Sequence, residues 1–150
     1  VTTNTNRGFA VEDTAAIVFT FAGGALGTFL LSDTAASPRS WEQTSAENAD
    51  YANYGDEDCY HIAGTAGSLS LPTMRLKTFA GSRSWYTPFE SSVVGVDRTD
   101  PLANQITHFC HVIRGAATPV CTARDGLNAL AVVDAVVRSA ETGCAVALQH

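Results

Sequence analysis

The segment VEDTAAIVFTFAGGALGTFLLSD, Val11 to Asp33, has the pattern of a β-hairpin whose strands are apolar on both faces, and it constrains the fold more than any other stretch. Successive side chains of a strand point to opposite faces, so Ala15, Ile17, Phe19 and Phe21 share one face while Ala16 and Val18 take the other. On the return strand Phe29 and Leu31 alternate with Leu26 and Leu30. Between the strands, Ala22, Gly23 and Gly24 supply the positive-φ positions of a tight turn. An antiparallel hairpin usually leaves one polar face for water. This one calls for a cover on each side.

The rest of the chain offers one such cover. After Asp100, a capping residue, and Pro101 at a first helical position, Leu102, Ile106, Phe109, Cys110 and Ile113 recur at helical spacing until Gly115. Thr122 and Asp125 have the spacing of a capping box that opens a longer helix through Leu127, Leu130, Val133 and Val137, closed by Gly143. Cys144 to Leu148 then reads as a returning strand. Upstream, Tyr60 to Gly64 and Ser68 to Leu71 form a second hairpin. Arg75 to Phe79 and Ser84 to Thr87 read as a third, with Glu90 to Val96 extending the sheet. Strands, then a helix pair, then a last strand give an α+β fold: a mostly antiparallel open sheet with the helix pair on one face. The other face stays available for oligomerisation, with a second copy as the economical cover.

Composition narrows the function classes. A chain of 150 residues with 45% hydrophobic and 16% charged residues is expected to form a single domain over 1–150. Its net charge of −6, without a Lys/Arg cluster, argues against a nucleic-acid partner. No apolar run reaches the roughly 20 residues of a membrane span, and no basic amphipathic helix suits a membrane surface. Cys59, Cys110, Cys121 and Cys144 are widely spaced, which favours buried free thiols and a reducing cytoplasm. The first residue is valine and VTTNTN has the β-branched bias of a strand already under way, as expected of a fragment or processed product.

The remaining question is chemistry. Gly23, Gly24 and Gly27, and likewise Gly64 and Gly67, join two strands and do not lead from a strand into a helix, so neither group reads as a phosphate cradle. Cys59 with His61, or His108 with His111, has workable ligand spacing, but nothing ties the pairs together, and no metal site is expected. No G-x-S-x-G turn is present for a serine nucleophile. General acid/base candidates gather in or beside the long polar stretch from Thr34 to Asp58: Glu42, Asp56, Glu57, Asp58 and His61. A solvated acidic loop would look the same, but Trp41 and Tyr54 among the carboxylates suit a wall of a polar-ligand pocket.

Four segments carry a resemblance: RGFAVEDTAAIVFTFAGGALGTFLLSD, SWEQTSAEN, YHIAGTAGSLSLP, and PLANQITHFCHVIRG with DGLNALAVVDAVVRSAETGCAVAL. Together they resemble the C-terminal domain of the Gfo/Idh/MocA family of NAD(P)-dependent oxidoreductases, a glucose-fructose oxidoreductase-like fold. The resemblance implies a two-domain dehydrogenase acting on a sugar, cyclitol or related polyol. In it an N-terminal Rossmann domain, absent from this chain, binds NAD or NADP. The C-terminal domain supplies substrate contacts and a homo-oligomer interface through its open sheet. The family's Gly-rich loop, Glu-Lys-Pro motif and Asp-x-x-x-His pair do not occur here. The fragment alone is therefore expected to hold no cofactor, to contribute no catalytic residue and to be inactive. By resemblance, Tyr54, Asp56 and Asp58, just before the strand that enters the Gly64 to Gly67 turn, are substrate-binding, and Ser40, Trp41 and Glu42 form a pocket wall. The alternative is a stand-alone dimerising or ligand-binding module on the same sheet, without catalysis.

Overall fold

The structure, a computed structural model, describes residues 1–148. The chain divides into two compact units: unit 1 comprises 1–36 with 118–150, of which residues up to 148 are described, and unit 2 comprises 37–117.

Unit 1 contains a three-stranded antiparallel sheet in the order β1 (Thr2–Asn4), β2 (Thr14–Thr20) and β3 (Leu26–Ser32). The opening hairpin is as its pattern predicts. Ala15 lies opposite Leu31, Ile17 opposite Phe29 and Phe19 opposite Gly27, which places the odd-numbered residues on one face. On that face Ala15 and Ile17 are buried and Phe19 is half-buried. The even-numbered face pairs Ala16 with Leu30, Val18 with Thr28 and Thr20 with Leu26, and it is open: Val18, Leu26 and Leu30 are 70 to 77% exposed. The turn closes with the Gly24 amide donating to the Phe21 carbonyl, and Gly24 alone in it takes a positive φ, +83°. At the other end of the hairpin, buried Asp13 accepts from the Arg7 amide and the Thr14 hydroxyl, while Arg7 pairs with Asp33.

The long helix of unit 1, α3 (Ala123–Thr142), starts and stops as its sequence signals require. Thr122 and Asp125 complete a reciprocal capping box, and Gly143 adopts the left-handed conformation at its end. Its covered side, however, is a stripe of small or β-branched residues, Val132, Ala135, Val136, Ser139 and Ala140. The expected core stripe of Leu127, Leu130, Val133 and Val137 instead remains 41 to 64% exposed. Both stripes have helical period, and small side chains permit the closer approach, so periodicity alone could not choose between them. Cys144 to Leu148 forms no strand, a second departure from expectation. A strand needs a hydrogen-bonded neighbour, and among the described residues no strand pairs with this segment.

Unit 2 contains a four-stranded antiparallel sheet in sequence order: β4 (Tyr60–Ala63), β5 (Gly67–Leu71), β6 (Arg75–Phe79) and β7 (Phe89–Val93). The partner of β6 is thus β7, and Ser84 to Thr87 belongs to the connecting loop, correcting the expected third hairpin. The loop turns on itself instead, with the Thr87 amide donating to the Ser84 carbonyl. The helix α2 (Pro101–Ile113) is capped by the Asp100 carboxylate, which accepts from the Leu102 and Ala103 amides. Its apolar stripe, Leu102, Ile106, Phe109 and Ile113, is 59 to 71% exposed. The class is α+β, with its strands in two antiparallel sheets and not one.

Candidate functional site

The polar stretch from Thr34 to Asp58 is less irregular than its length suggests, because Ser40 caps a short helix, α1 (Trp41–Ser45). Ser40 Oγ accepts from the Gln43 amide at 3.2 Å and lies 3.4 Å from Gln43 Oε1. The S-x-x-Q spacing that signals such a cap is present in the sequence and is the cue by which the helix could have been found. Thr44 and Ser45 are the buried residues of α1. Thr44 satisfies its hydroxyl on the Ser40 carbonyl at 2.7 Å, and the Ser45 carbonyl accepts from the Arg98 guanidinium.

This helix turns Trp41 into the wall of a cleft of about 450 Å³ in unit 2. The indole is held in place from two directions. Its Nε1 donates to Glu47 Oε2 at 2.7 Å, and its ring meets the Tyr60 ring with centroids 5.9 Å apart. The lining adds an apolar stretch of Leu71, Pro72 and Val93 to Val96, and among it the polar groups of Thr73, Asp97, Arg98, Thr99 and Asn104, so an aromatic wall shares the cleft with hydroxyl, amide, carboxylate and guanidinium groups. Met74 has φ +57°, a left-handed conformation uncommon for a residue with a side chain, and its carbonyl accepts from the Val94 amide at 2.9 Å.

Beside the cleft lies an ion-pair latch. Asp58, 3% exposed, accepts at Oδ1 from the Thr73 amide and hydroxyl, at 3.0 and 2.7 Å, and at Oδ2 from Arg75 at 2.6 Å. Burial pushes its carboxyl pKa up, but the hydrogen bonds from Thr73 and Arg75 outweigh burial and hold the pKa below the usual carboxylate value. Arg75 also donates to the Asp56 carbonyl at 3.1 Å. The latch joins the end of the polar stretch to the β5–β6 turn and sets the position of Thr73 and Met74.

Of the six residues expected to bind substrate, Trp41 lines the cleft and Ser40 caps the helix that carries it. Glu42 is exposed on the first turn of that helix. Asp56 contributes a backbone carbonyl to the latch, and the Asp58 carboxylate is fully engaged within it. Tyr54 is 43% exposed and tied by its backbone amide to the Gln43 carbonyl at 2.7 Å. Glu47, Arg98, Thr99 and Asn104 were not anticipated. Arg98 meets α1 across 53 positions of sequence, a pairing no local pattern encodes.

Among the described residues no group of three or more His, Cys, Asp or Glu is placed to hold a metal, and no helix is long and apolar enough to cross a membrane. All four cysteines are free; Cys59 and Cys110 are half-buried, while Cys121 and Cys144 are exposed, contrary to the expectation of buried thiols. Both exposed thiols flank the ends of α3, outside any packed face.

Antiparallel sheets with capped helices define an α+β domain, and unit 2 carries an aromatic-walled cleft. The chain matches, over residues 1–148, the family described as oxidoreductase family, C-terminal alpha/beta domain. It belongs to that Gfo/Idh/MocA family as its C-terminal domain. No curated protein and no solved structure gives a significant match.

Proposed function

We propose that this chain is the substrate-side and assembly domain of a cytoplasmic NAD(P)-dependent dehydrogenase acting on a sugar, cyclitol or related polyol. The observation that carries the reading is the Trp41 wall. Polyols present apolar C–H faces between their hydroxyls, and an indole beside a carboxylate can meet both kinds of surface at once. Glu47 keeps a second carboxylate oxygen for a substrate hydroxyl, and Thr99 and Asn104 add hydrogen-bonding groups across the cleft. Charge-assisted hydrogen bonds to a hydroxyl fix orientation as well as affinity.

The chain does not fit the nicotinamide cofactor. Its Gly23–Gly24 and Gly64–Gly67 turns each join antiparallel strands, and neither opens a helix whose N-terminus could receive a pyrophosphate. What its own residues do is bind and orient. Hydride transfer would draw on NAD or NADP held by a separate Rossmann domain, so the chain alone is inactive on this reading. The open even-numbered face of β2 and β3 is the surface through which two copies assemble, since a contiguous apolar patch of this kind is costly to leave in water.

Fluorescence of a Trp85→Phe variant, which leaves Trp41 as the sole tryptophan, tests the cleft assignment. Hexoses or cyclitols at millimolar concentration should change the emission saturably. Glu47→Gln should weaken that binding about tenfold, the equivalent of one hydrogen bond to a charged group. No saturable response to either class, or equal affinity in the Glu47 variant, would overturn it.

A further inference from the structure

The second sheet carries a polar face that the polyol cleft does not use. Register places His61, Ser70, Arg75 and Val93 side by side in one row across β4 to β7, and Ala63, Ser68, Lys77 and Ser91 in the next. Cross-strand neighbours of this kind have Cβ atoms about 5 Å apart, within reach of a shared small ligand. Ile62, Leu69 and Leu76 alternate with these residues along their strands, so the polar groups of β4, β5 and the start of β6 share one side. His61, Ser68, Ser70, Arg75 and Lys77 line a depression of about 440 Å³, whose walls also include Ile62, Ala63 and Leu69.

The hydrogen-bonding inventory of this face is one-sided. Its single carboxylate, Asp58, has both oxygens engaged by Thr73 and Arg75. What remains is an imidazole whose Nδ1 is 3.2 Å from Ser70 Oγ, serine hydroxyls able to donate, and the ammonium of Lys77. Lys77 is the one lysine of the chain, and among the described residues it has no ion pair or hydrogen bond. A chain of net charge −6 does not present cations everywhere. A face rich in donors with an unpaired ammonium is complementary to a group that only accepts.

We propose that the face formed by His61, Ser68, Ser70 and Lys77, backed by the Arg75–Asp58 pair, binds an oxyanion: the carboxylate or phosphate group of a small molecule. Lys77 supplies the charge, and the serines and His61 supply directed hydrogen bonds. The Asp58 latch fixes Arg75 and keeps its own carboxylate from competing for Lys77. This site is independent of the polyol reading of the Trp41 cleft.

The sole lysine makes the test direct. Reductive ¹³C-methylation of the 150-residue chain labels only Lys77 and the α-amine while preserving charge. Inorganic phosphate, acetate and chloride are then titrated at matched ionic strength. The Lys77 resonance should shift saturably with phosphate and not with chloride. Saturation by acetate as well assigns any oxyanion, and saturation by phosphate alone assigns phosphoryl groups. Read from the His61 imidazole resonance, Lys77→Gln should weaken phosphate binding about tenfold, Lys77→Arg should restore most of it, and Ser68→Ala should weaken it by a smaller factor. Arg124→Gln, which removes an equal charge from unit 1, should leave affinity unchanged. A shift that only tracks ionic strength, equal affinity in Lys77→Gln, or equal losses in Lys77→Gln and Arg124→Gln would overturn the site.

Discussion

The two units each carry an antiparallel sheet with exposed apolar residues, yet what they bury differs. In the β1–β3 sheet the buried strand residues are Ala15 and Ile17, and the far face leaves Val18, Leu26 and Leu30 uncovered. In unit 2 the buried residues are Thr44, Ser45, Asp58 and Pro72, and the three polar ones each have hydrogen-bond partners. The strands of the first region bury apolar side chains, with hydrogen-bonded Asp13 at the hairpin's end, and apolar burial is non-directional and tolerates an unfilled side. The other rests on directed bonds, which fail if one partner is lost. A sheet of the first kind suits a surface that meets another chain; one of the second kind suits a site that must keep its geometry.

Removing the latch should separate the two regions most sharply. Asp58→Ala leaves Arg75 without its partner and the Thr73 amide without its acceptor, and should cost about 3 kcal/mol in chemical denaturation. Protection of the Val94 amide from hydrogen exchange should fall, while that of the β2 amides stays near wild type. Equal loss in both sheets would dissolve the contrast. The latch also predicts an acid limb. Because Asp58 has its folded pKa below its unfolded one, its contribution is fully present above the ordinary carboxylate pKa and is lost as pH falls through the folded value. Stability of the Asp58→Asn variant should lack that part of the acid dependence.

The opposite face tests the apolar half of the contrast. If copies of the chain assemble through Ala16, Val18, Leu26 and Leu30, Leu30→Asp should weaken self-association by about 2 kcal/mol, roughly thirtyfold in Kd, by sedimentation equilibrium. Monomer stability should change little, since Leu30 is already 77% exposed. A wild-type chain that sediments as a monomer at micromolar concentration would remove this face from the assembly proposal.

A smaller difference separates two glycines. A Cβ on Gly67 would collide with the Lys77 backbone carbonyl and lie 3.1 Å from Thr78 Cγ2, so Gly67→Ala should cost about 2 kcal/mol. Gly24 has open space around it, and Gly24→Ala should cost only the left-handed backbone penalty, about 1 kcal/mol. Thermal melts of the two variants should rank in that order. The reverse order would mean that the turn, and not the strand contact, limits packing.

Local signals in the chain proved readable wherever their physics is local. Asp100 and Thr122 cap helices, Gly143 ends one, and the register of the opening hairpin follows from alternation and a glycine turn. The Ser40 cap was equally local and was hidden by the polar composition around it. Signals that depend on a distant partner were not readable. Ser84 to Thr87 has strand-like residues, but β6 pairs with Phe89–Val93 instead. Cys144 to Leu148 has a strand's composition and, among the described residues, no strand to pair with. For the site, the sequence pointed to Trp41 as an aromatic among carboxylates, but not to Glu47 or Arg98 as the groups that meet α1 and its tryptophan.

By itself the sequence determined the α+β class, the caps, the two-faced hairpin and the family, because each follows from residue order over a few turns or strands. Tertiary structure alone decided which helical stripe is covered and which acidic residues are engaged. The Leu127 and Val132 stripes of α3 share one period, and only the available neighbours choose between them. Asp56 and Asp58 are two carboxylates two residues apart, and only the arrival of Arg75 and Thr73 buries one side chain in a latch while using the backbone of the other. Burial and pairing belong to the partners a residue meets, and those partners lie beyond the reach of local pattern.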